Sequence, residues 1–398
     1  MKPISILALQ QIPGVGSKTV EKILSLPGIS DPICHDDLIE IIKTVNAKFG
    51  KINMPDIQTA KIAWDKAHEI LKLSEQQNIE IISQESSYYP ECLSLIAGPP
   101  VLLYVKGNIK ALNKNSIAII GTRKPSDYGE TQARTIAKLF ANEGYVVVSG
   151  LAQGVDSAAH MGALEANGLT VAVLAHGLDT VYPYTNKQLA DNIIKNNGAL
   201  ISEYPIGTKI FRSYFVERDR IQSGLSLGVL VIETGIKGGT MHTVGFCEKQ
   251  KRILIVMKHP PNLLDATKQC GNTQLITDNR ANIVFETDDD VVLAKNLMQK
   301  TKEELFILKS SLQISPSEEL QPLKTNTSEL IIADMSPNQY NSGHEQQTIK
   351  KSKEETFGFI TANKLNSTPQ SVVYAQHTKR KKRHREIGEN QTKIGVYI

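Results

Sequence analysis

Between residues 116 and 287 the chain alternates two kinds of segment. Near-continuous apolar runs, "SIAIIG", "YVVVSG", "TVAVLA", "ALISEY", "LGVLVIET" and "RILIVM", read as strands buried on both faces. Separating them, "ETQARTIAKLFANE", "DSAAHMGALEAN", "NKQLADNIIKNN" and "GTMHTVGFCEKQ" carry helical patterns. Such strands joined by helices predict an α/β, Rossmann-like parallel sheet with helices on both faces. "ANIVFET" offers a further edge strand. Upstream, residues 1–75 read as a small helical domain, with "SKTVEKILSL" and "TAKIAWDKAHEILKLSEQQ" at three- and four-residue apolar spacing. Residues 76–115 form an extended lead-in with turns, and the sheet domain takes residues 116–300. Residues 301–398 read as a linker and a poorly defined basic tail or small module, rich in Ser, Asn, Gln, Pro and charge. Within it "FGFITANKL", "SVVYAQH" and "KIGVYI" are candidate short strands.

Composition narrows the class. A chain of 398 residues with 40% hydrophobic content can hold several domains. Its four cysteines, Cys34, Cys92, Cys247 and Cys270, are scattered and form no CxxC pair. That argues against a disulfide framework or zinc site and favours a reducing cytoplasm. No apolar run approaches the roughly 18–20 residues needed to span a bilayer. The apolar stretch at the N-terminus is too short for a signal peptide. The net charge of +4 permits nucleic acid without demanding it, so charge has to be read locally. No motif calls for a cofactor or a metal.

Residues 12–18, "IPGVGSK", match the hairpin of a helix-hairpin-helix element. Gly14 and Gly16 would let the backbone turn, and exposed amides beside Lys18 could meet a DNA phosphate. A plain connector between two helices has the same look. "GTRKPSDYG" stands at the carboxyl end of the first sheet strand, where open parallel sheets bind ligands. There Gly121, Thr122, Arg123 and Lys124 can offer amides and a planar guanidinium fork to a polyanion.

In "SGLAQGVDSAAHMGAL", Gly150 and Gly154 permit close backbone approach and Asp156 is placed to cap the next helix. Asp156 and His160 are spaced like an acid/base pair, but a structural aspartate with a packed histidine is the favoured reading. "SEYPIGTKIFRSYFVERDRIQSGLS", read as a loop, puts Lys209, Arg212, Arg218 and Arg220 among Phe211, Tyr214 and Phe215. Cations interleaved with aromatics suit a single-stranded nucleic acid, whose bases stack while its phosphates pair. In "ETGIKGGTMHTVGF", Gly238, Gly239 and Thr240 open a helix whose free amides attract an anion. The run "KRKKRHR", residues 379–385, is either a solvated surface or added nonspecific affinity.

In order, "YYPECLSLIAGPPVLLYVKGN", "IAIIGTRKPSDYG", "VVVSGLAQGVDSAAHMGAL", "TVAVLAHGLDTVYP", "GALISEYPIGT", "FVERDRIQSGLS" and "VLVIETGIKGGTMHT" resemble the DNA-processing protein A family (DprA, also called Smf). The resemblance implies single-stranded DNA held in a basic pocket of an extended Rossmann fold. It also implies a homodimer that loads RecA-type recombinase onto incoming strands in natural transformation. Arg123 falls on the family's DNA-binding arginine, Phe215 on its base-stacking phenylalanine and Arg212 on a pocket lysine. Gly121, Gly150, Arg218, Arg220, Gly238, Gly239 and Thr240 match pocket positions or their variants.

Three departures stand out. Gln153 replaces an arginine, Asp219 replaces an asparagine and so adds an anion, and "KGGTMHT" replaces an SGS-type loop. The tail does not read as the family's winged helix. The competing reading is a nucleoside monophosphate phosphoribohydrolase of the LOG type, whose signature is PGGxGTxxE. Here "IKGGTMHTVGFCE" lacks the leading proline, and Glu248 sits too far along the helix. A DNA-handling or defence role outside transformation, or a partner-binding module, would share many of these features.

Overall fold

The computed structural model describes residues 1–50, 52–261 and 266–313. The candidate strands of the tail and its basic run lie outside the described residues. The chain opens with helices α1 (Pro3–Gln11), α2 (Ser17–Leu24), α3 (His35–Phe49) and α4 (Ile57–Gln76). Strand β1 (Ile79–Ser83), helix α5 (Glu91–Ser94) and strand β2 (Leu102–Gly107) follow. Then come β3 (Ser116–Ile120), α6 (Asp127–Asn142), β4 (Val146–Ser149), α7 (Val155–Glu165) and β5 (Thr170–Val173). Next are α8 (Lys187–Lys195), β6 (Ala199–Ser202), α9 (Arg212–Leu225) and β7 (Gly228–Val231). The described fold closes with α10 (Thr240–Lys249), β8 (Ile253–Met257), α11 (Ala266–Thr277), β9 (Ile283–Phe285) and α12 (Asp290–Gln313).

Among the described residues nine strands form one sheet in the order β1-β2-β6-β5-β4-β3-β7-β8-β9. From β6 to β9 every pairing is parallel, and β9 is the edge strand that "ANIVFET" offered. The lead-in corrects the purely parallel expectation: β2 pairs antiparallel with β6, and β1 antiparallel with β2. Apolar burial alternates along β3. Ile117 and Ile119 join Ala133 and Ile136 of α6, Ala158 of α7 and Met298 of α12 in one core. Ala118 and Ile120 join Ile221 of α9, Val244 of α10 and Leu275 of α11 in another. Both faces are covered, which is why these strands are apolar without interruption.

The N-terminal helices do not keep a core to themselves. Leu7, Val20, Leu38 and Ala67 share one cluster with Ile79, Tyr104, Leu174 and Leu200 of the sheet. In the hairpin between α1 and α2, Val15 N–H donates to Ile12 O at 3.0 Å, and Gly14 takes φ +85°. Gly16 instead caps α2 in an extended conformation (φ −91°, ψ 179°) that any residue can adopt. Only Gly14 is there for the turn.

Two further expectations need correction. Residues 301–313 are the last turns of α12, whose buried Val291, Ala294, Met298, Thr301 and Leu305 recur at three- and four-residue spacing. "RSYFVERDRIQSGL" is helix α9 rather than a loop. Its buried face carries Arg218, Asp219 and Gln222 beside Ile221 and Leu225, so a helical period is present but hidden by polar side chains. No helix among the described residues is long and apolar enough to cross a membrane.

Candidate nucleic-acid interface

Strands β4, β5 and β6 lie on one side of β3, and β7, β8 and β9 on the other. The loops after β3 and β7 therefore part at the carboxyl ends, where doubly wound sheets leave a crevice. A cavity of about 760 Å³ fills that place. Its walls come from Gly121, Thr122 and Arg123 after β3, Ala152 after β4, Tyr182 after β5, the first turns of α9, and residues 234–243 after β7.

Glu233 fixes the β3 loop. The residue is 0% exposed and accepts from Ser126 N–H (2.8 Å), the Ser126 hydroxyl and Gln269 Nε2 (3.0 Å). Its backbone carbonyl accepts from Thr122 N–H at 2.8 Å. Ser126 Oγ in turn accepts from Gly129 N–H (3.0 Å) and so caps α6. One buried side chain thus ties β7 to the start of α6 and holds the intervening Arg123 at the cavity mouth. The sequence reading missed Glu233, because a glutamate at a strand end looks like any surface acid.

At the mouth, Arg123 Cζ lies 5.4 Å from the Phe215 ring centroid, and Tyr182 packs on Phe215 with centroids 6.0 Å apart. Arg123 and Arg212 are exposed, and neither makes an ion pair among the described residues. Lys237 and His242 complete the polar rim. Gly239 has open space where a Cβ would stand, and with Gly238 and Thr240 it brings the start of α10 to the cavity.

The floor is different in kind. Arg218 is 5% exposed, and its Nη1 donates to Val173 O at 2.7 Å. Its Nε sits 3.4 Å from Asp219 Oδ1, at ion-pair distance but without hydrogen-bond alignment. Asp156 accepts from Gly150 N–H (3.2 Å) and Ala152 N–H (3.3 Å), so it braces the β4 turn. The side-chain cap expected of it is absent, since Gly154 occupies the cap position of α7. With its amide turned to suit both neighbours, Gln222 donates to Asp219 Oδ1 (3.1 Å) and accepts from Gly150 N–H (2.8 Å).

Burial pushes both carboxyls upward. For Asp219 it does so to about 7, with Arg218 partly offsetting the rise and Asp156 adding to it. Asp156 is raised by burial as well, again opposed by Arg218. His160 lies beneath the sheet's face and takes no part. Its Nδ1 donates to Thr170 Oγ1 (2.6 Å), whose own proton goes to Val147 O, and burial lowers its pKa to about 3.

The structure therefore gathers Gly121, Thr122, Arg123, Arg212, Phe215, Arg218, Gly238, Gly239 and Thr240 around one cavity. Other candidates stand apart. Lys124 is exposed outside the lining. Gly150 meets no open space: a Cβ there would overlap the Arg218 guanidinium, so the glycine serves internal packing. Gly121 likewise makes room for Val155, whose Cγ2 would be 2.6 Å from an added Cβ.

Arg220 is corrected most clearly. It is ion-paired with Glu203 through Nη2, with Glu217 3.7 Å from its Nε, and lies off the cavity wall. Helical geometry explains the split, because Phe215, Arg218, Asp219 and Gln222 share one face of α9 while Glu217 and Arg220 share another. Gly14, Gly16 and Lys18 remain in the α1–α2 hairpin, with Lys18 exposed. Among the described residues no cluster of His, Cys, Asp and Glu could hold a metal.

A model of the family described as DNA recombination-mediator protein A matches residues 80–295. The chain belongs to that family. It is 34% identical over 236 residues to Protein Smf of Escherichia coli (strain K12), covering 56% of this chain and 63% of that one. To the DNA processing protein DprA of Streptococcus pneumoniae it is 42% identical over 161 residues, covering 40% of this chain and 55% of that one. The aligned part thus spans less than two thirds of these relatives' own length. The X-ray structure of DNA processing protein A from Streptococcus pneumoniae superposes with a TM-score of 0.61 at 28% identity, covering 74% of this chain and 98% of that one. The matched region contains the whole cavity lining.

Proposed function

We propose that this cavity binds single-stranded DNA without sequence specificity, as the first step in delivering the strand to a RecA-type recombinase. One observation carries the reading: the Arg123 guanidinium stands over the Phe215 ring at the mouth of a cavity closed by strand ends. A cation there pairs a phosphate while the aromatic receives a base, the combination that holds single strands. In a duplex the bases already stack on one another, so Phe215 and Tyr182 would gain nothing from it. Membership of a family described as recombination mediators supports the delivery role. So does likeness to proteins named for DNA processing. Action as a homodimer in the cytoplasm during natural transformation belongs to the same proposal.

Competition between an unlabelled single strand and an unlabelled duplex for a bound fluorescent oligonucleotide tests the reading. The single strand should displace the probe at much lower concentration. Equal displacement by both would refute it. Delivery is checked separately by the rate at which a RecA-type recombinase forms filaments on strands coated with single-strand-binding protein, which should rise when this protein is added. The phosphoribohydrolase reading finds little support in the floor. Asp156 is engaged by two backbone amides and Asp219 by Arg218 and Gln222, so neither carboxylate is poised for glycosidic cleavage.

A further inference from the structure

Two residues beyond Tyr182, the chain presents a second tyrosine that nothing inside the fold explains. Tyr184 is 76% exposed, and Lys187 Nζ lies 5.8 Å from its ring centroid. Lys187 makes no ion pair among the described residues. The turn that carries Tyr184 into Lys187 at the start of α8 is firmly tied. Asn186 Nδ2 donates to Leu151 O (2.8 Å) and to Ser157 Oγ (2.9 Å). Gln153 Nε2 donates to Thr185 Oγ1 at 3.3 Å. All three anchors belong to the turn after β4 and the first turn of α7, next to Ala152 of the cavity wall. Asp179, the acid nearest in sequence before the tyrosines, is turned away and accepts from Gly207 N–H at 3.0 Å.

A large aromatic held at the surface by a rigid loop exposes apolar area with no internal return, which marks a contact surface. Two extended residues span at most about 7 Å. Tyr184 therefore stands within about one nucleotide's reach of Tyr182, and Tyr182 already touches Phe215. The lysine lies over the Tyr184 ring, and the residue's exposure leaves ring surface open to solvent. A base on that open surface would stack while the ammonium met its phosphate, which is the pairing of ring and cation seen at the cavity mouth.

We propose that Tyr184 and Lys187 form an additional subsite for single-stranded nucleic acid, holding a base and phosphate of the strand as it leaves the cavity past Tyr182. The proposal rests on reading the cavity as the single-strand site. Gln153 takes on a positional role in it: its amide holds the loop that carries the stacking ring.

Strand length separates the two sites. Tyr184→Ala should weaken binding of an oligonucleotide of about twenty nucleotides roughly 5- to 100-fold and leave one of about three nucleotides unchanged. Tyr184→Phe should retain wild-type affinity for both. Lys187→Ala should reduce the slope of log affinity against log salt by roughly 0.7, one single-strand phosphate's share. Photocrosslinking of strands carrying 5-iododeoxyuridine should yield an adduct at Tyr184 with the long strand only. Because Tyr184 is exposed, the melting temperature should not move. If Tyr184→Ala leaves the long strand's affinity intact while Phe215→Ala lowers it, the subsite is refuted and the cavity reading survives. If both variants bind like wild type, the two fall together.

Discussion

Arg123 and Phe215 are one unit: the guanidinium lies 5.4 Å from the ring centroid, although the two residues stand 92 positions apart in the chain. Each therefore positions the other before any strand arrives. Arg123→Ala should weaken single-strand binding for all sequences by roughly 1.5–3 kcal/mol, as a charge-assisted contact is lost. Phe215→Ala should weaken it by about 1–3 kcal/mol. The double variant should lose less than the sum, by about 0.5–1 kcal/mol, because either substitution already breaks the cation–ring contact. Strictly additive losses in an anisotropy titration would show that the two do not act together.

A second expectation concerns pH. Burial raises the Asp219 carboxyl to about 7, against 3.8 for an ordinary aspartate. Between those values the folded protein holds a proton that the unfolded chain has released, so stability falls as pH rises toward 7 and is flat above it. Asp219→Asn removes this dependence. Its melting temperature relative to wild type should be higher at pH 8 than at pH 5. An ionised Asp219 also repels phosphate in the cavity, with Asp156 of the same sign and Arg218, Arg123, Arg212 and Lys237 opposing.

Wild-type affinity should therefore drop as pH passes about 7, while Asp219→Asn stays level and binds more tightly at pH 8, by about 1 kcal/mol or somewhat more. Repeating the series in a His242→Gln background removes the imidazole on the rim. Parallel pH profiles for wild type and Asp219→Asn would contradict the placement of Asp219 beside the bound strand.

Two glycines of the candidate set should behave oppositely. A Cβ at Gly150 would overlap the Arg218 guanidinium, whereas at Gly239 it would meet nothing within 4 Å. Gly150→Ala should destabilise the fold by about 1–3 kcal/mol through overpacking. Gly239→Ala should leave stability unchanged. Thermal melts of the two variants side by side check the contrast.

Arg212 and Arg220 form another contrasting pair on α9. Arg212 is exposed at the cavity, and Arg220 is ion-paired with Glu203 away from it. Arg212→Ala should lower the salt slope of binding by roughly 0.7 with little change in stability. Arg220→Ala leaves the partly buried Glu203 carboxyl without its cation and should destabilise by about 1–3 kcal/mol. Once measured below its melting temperature, its salt slope should match wild type.

The sheet was legible because strands covered on both faces cannot hide their apolar runs, as in "SIAIIG" and "YVVVSG". The two antiparallel strands β1 and β2 were not, since "IEIIS" and "LLYVKG" sit in a stretch of turns without the long helical segments that mark off the parallel strands. At the site, the loops after β3 and β7 announced themselves through Arg123 and the Gly238–Gly239 pair. Helix α9 concealed its roles. Its buried face is lined with Arg218, Asp219 and Gln222, so polarity along the sequence no longer tracked exposure. Once the helix is drawn, the three-and-four spacing from Phe215 separates the cavity face from the Glu203 face without further information.

The central claim is that single strands bind where Arg123 and Phe215 meet. The most direct measurement is the affinity of a labelled single-stranded oligonucleotide for wild type and for the Arg123→Ala/Phe215→Ala variant, taken at two salt concentrations with both proteins shown to be folded. Wild type should bind well at low salt and lose affinity steeply as salt rises, while the variant should bind far more weakly and with a shallower salt dependence. Equal affinities and equal salt slopes for the two proteins would contradict the account.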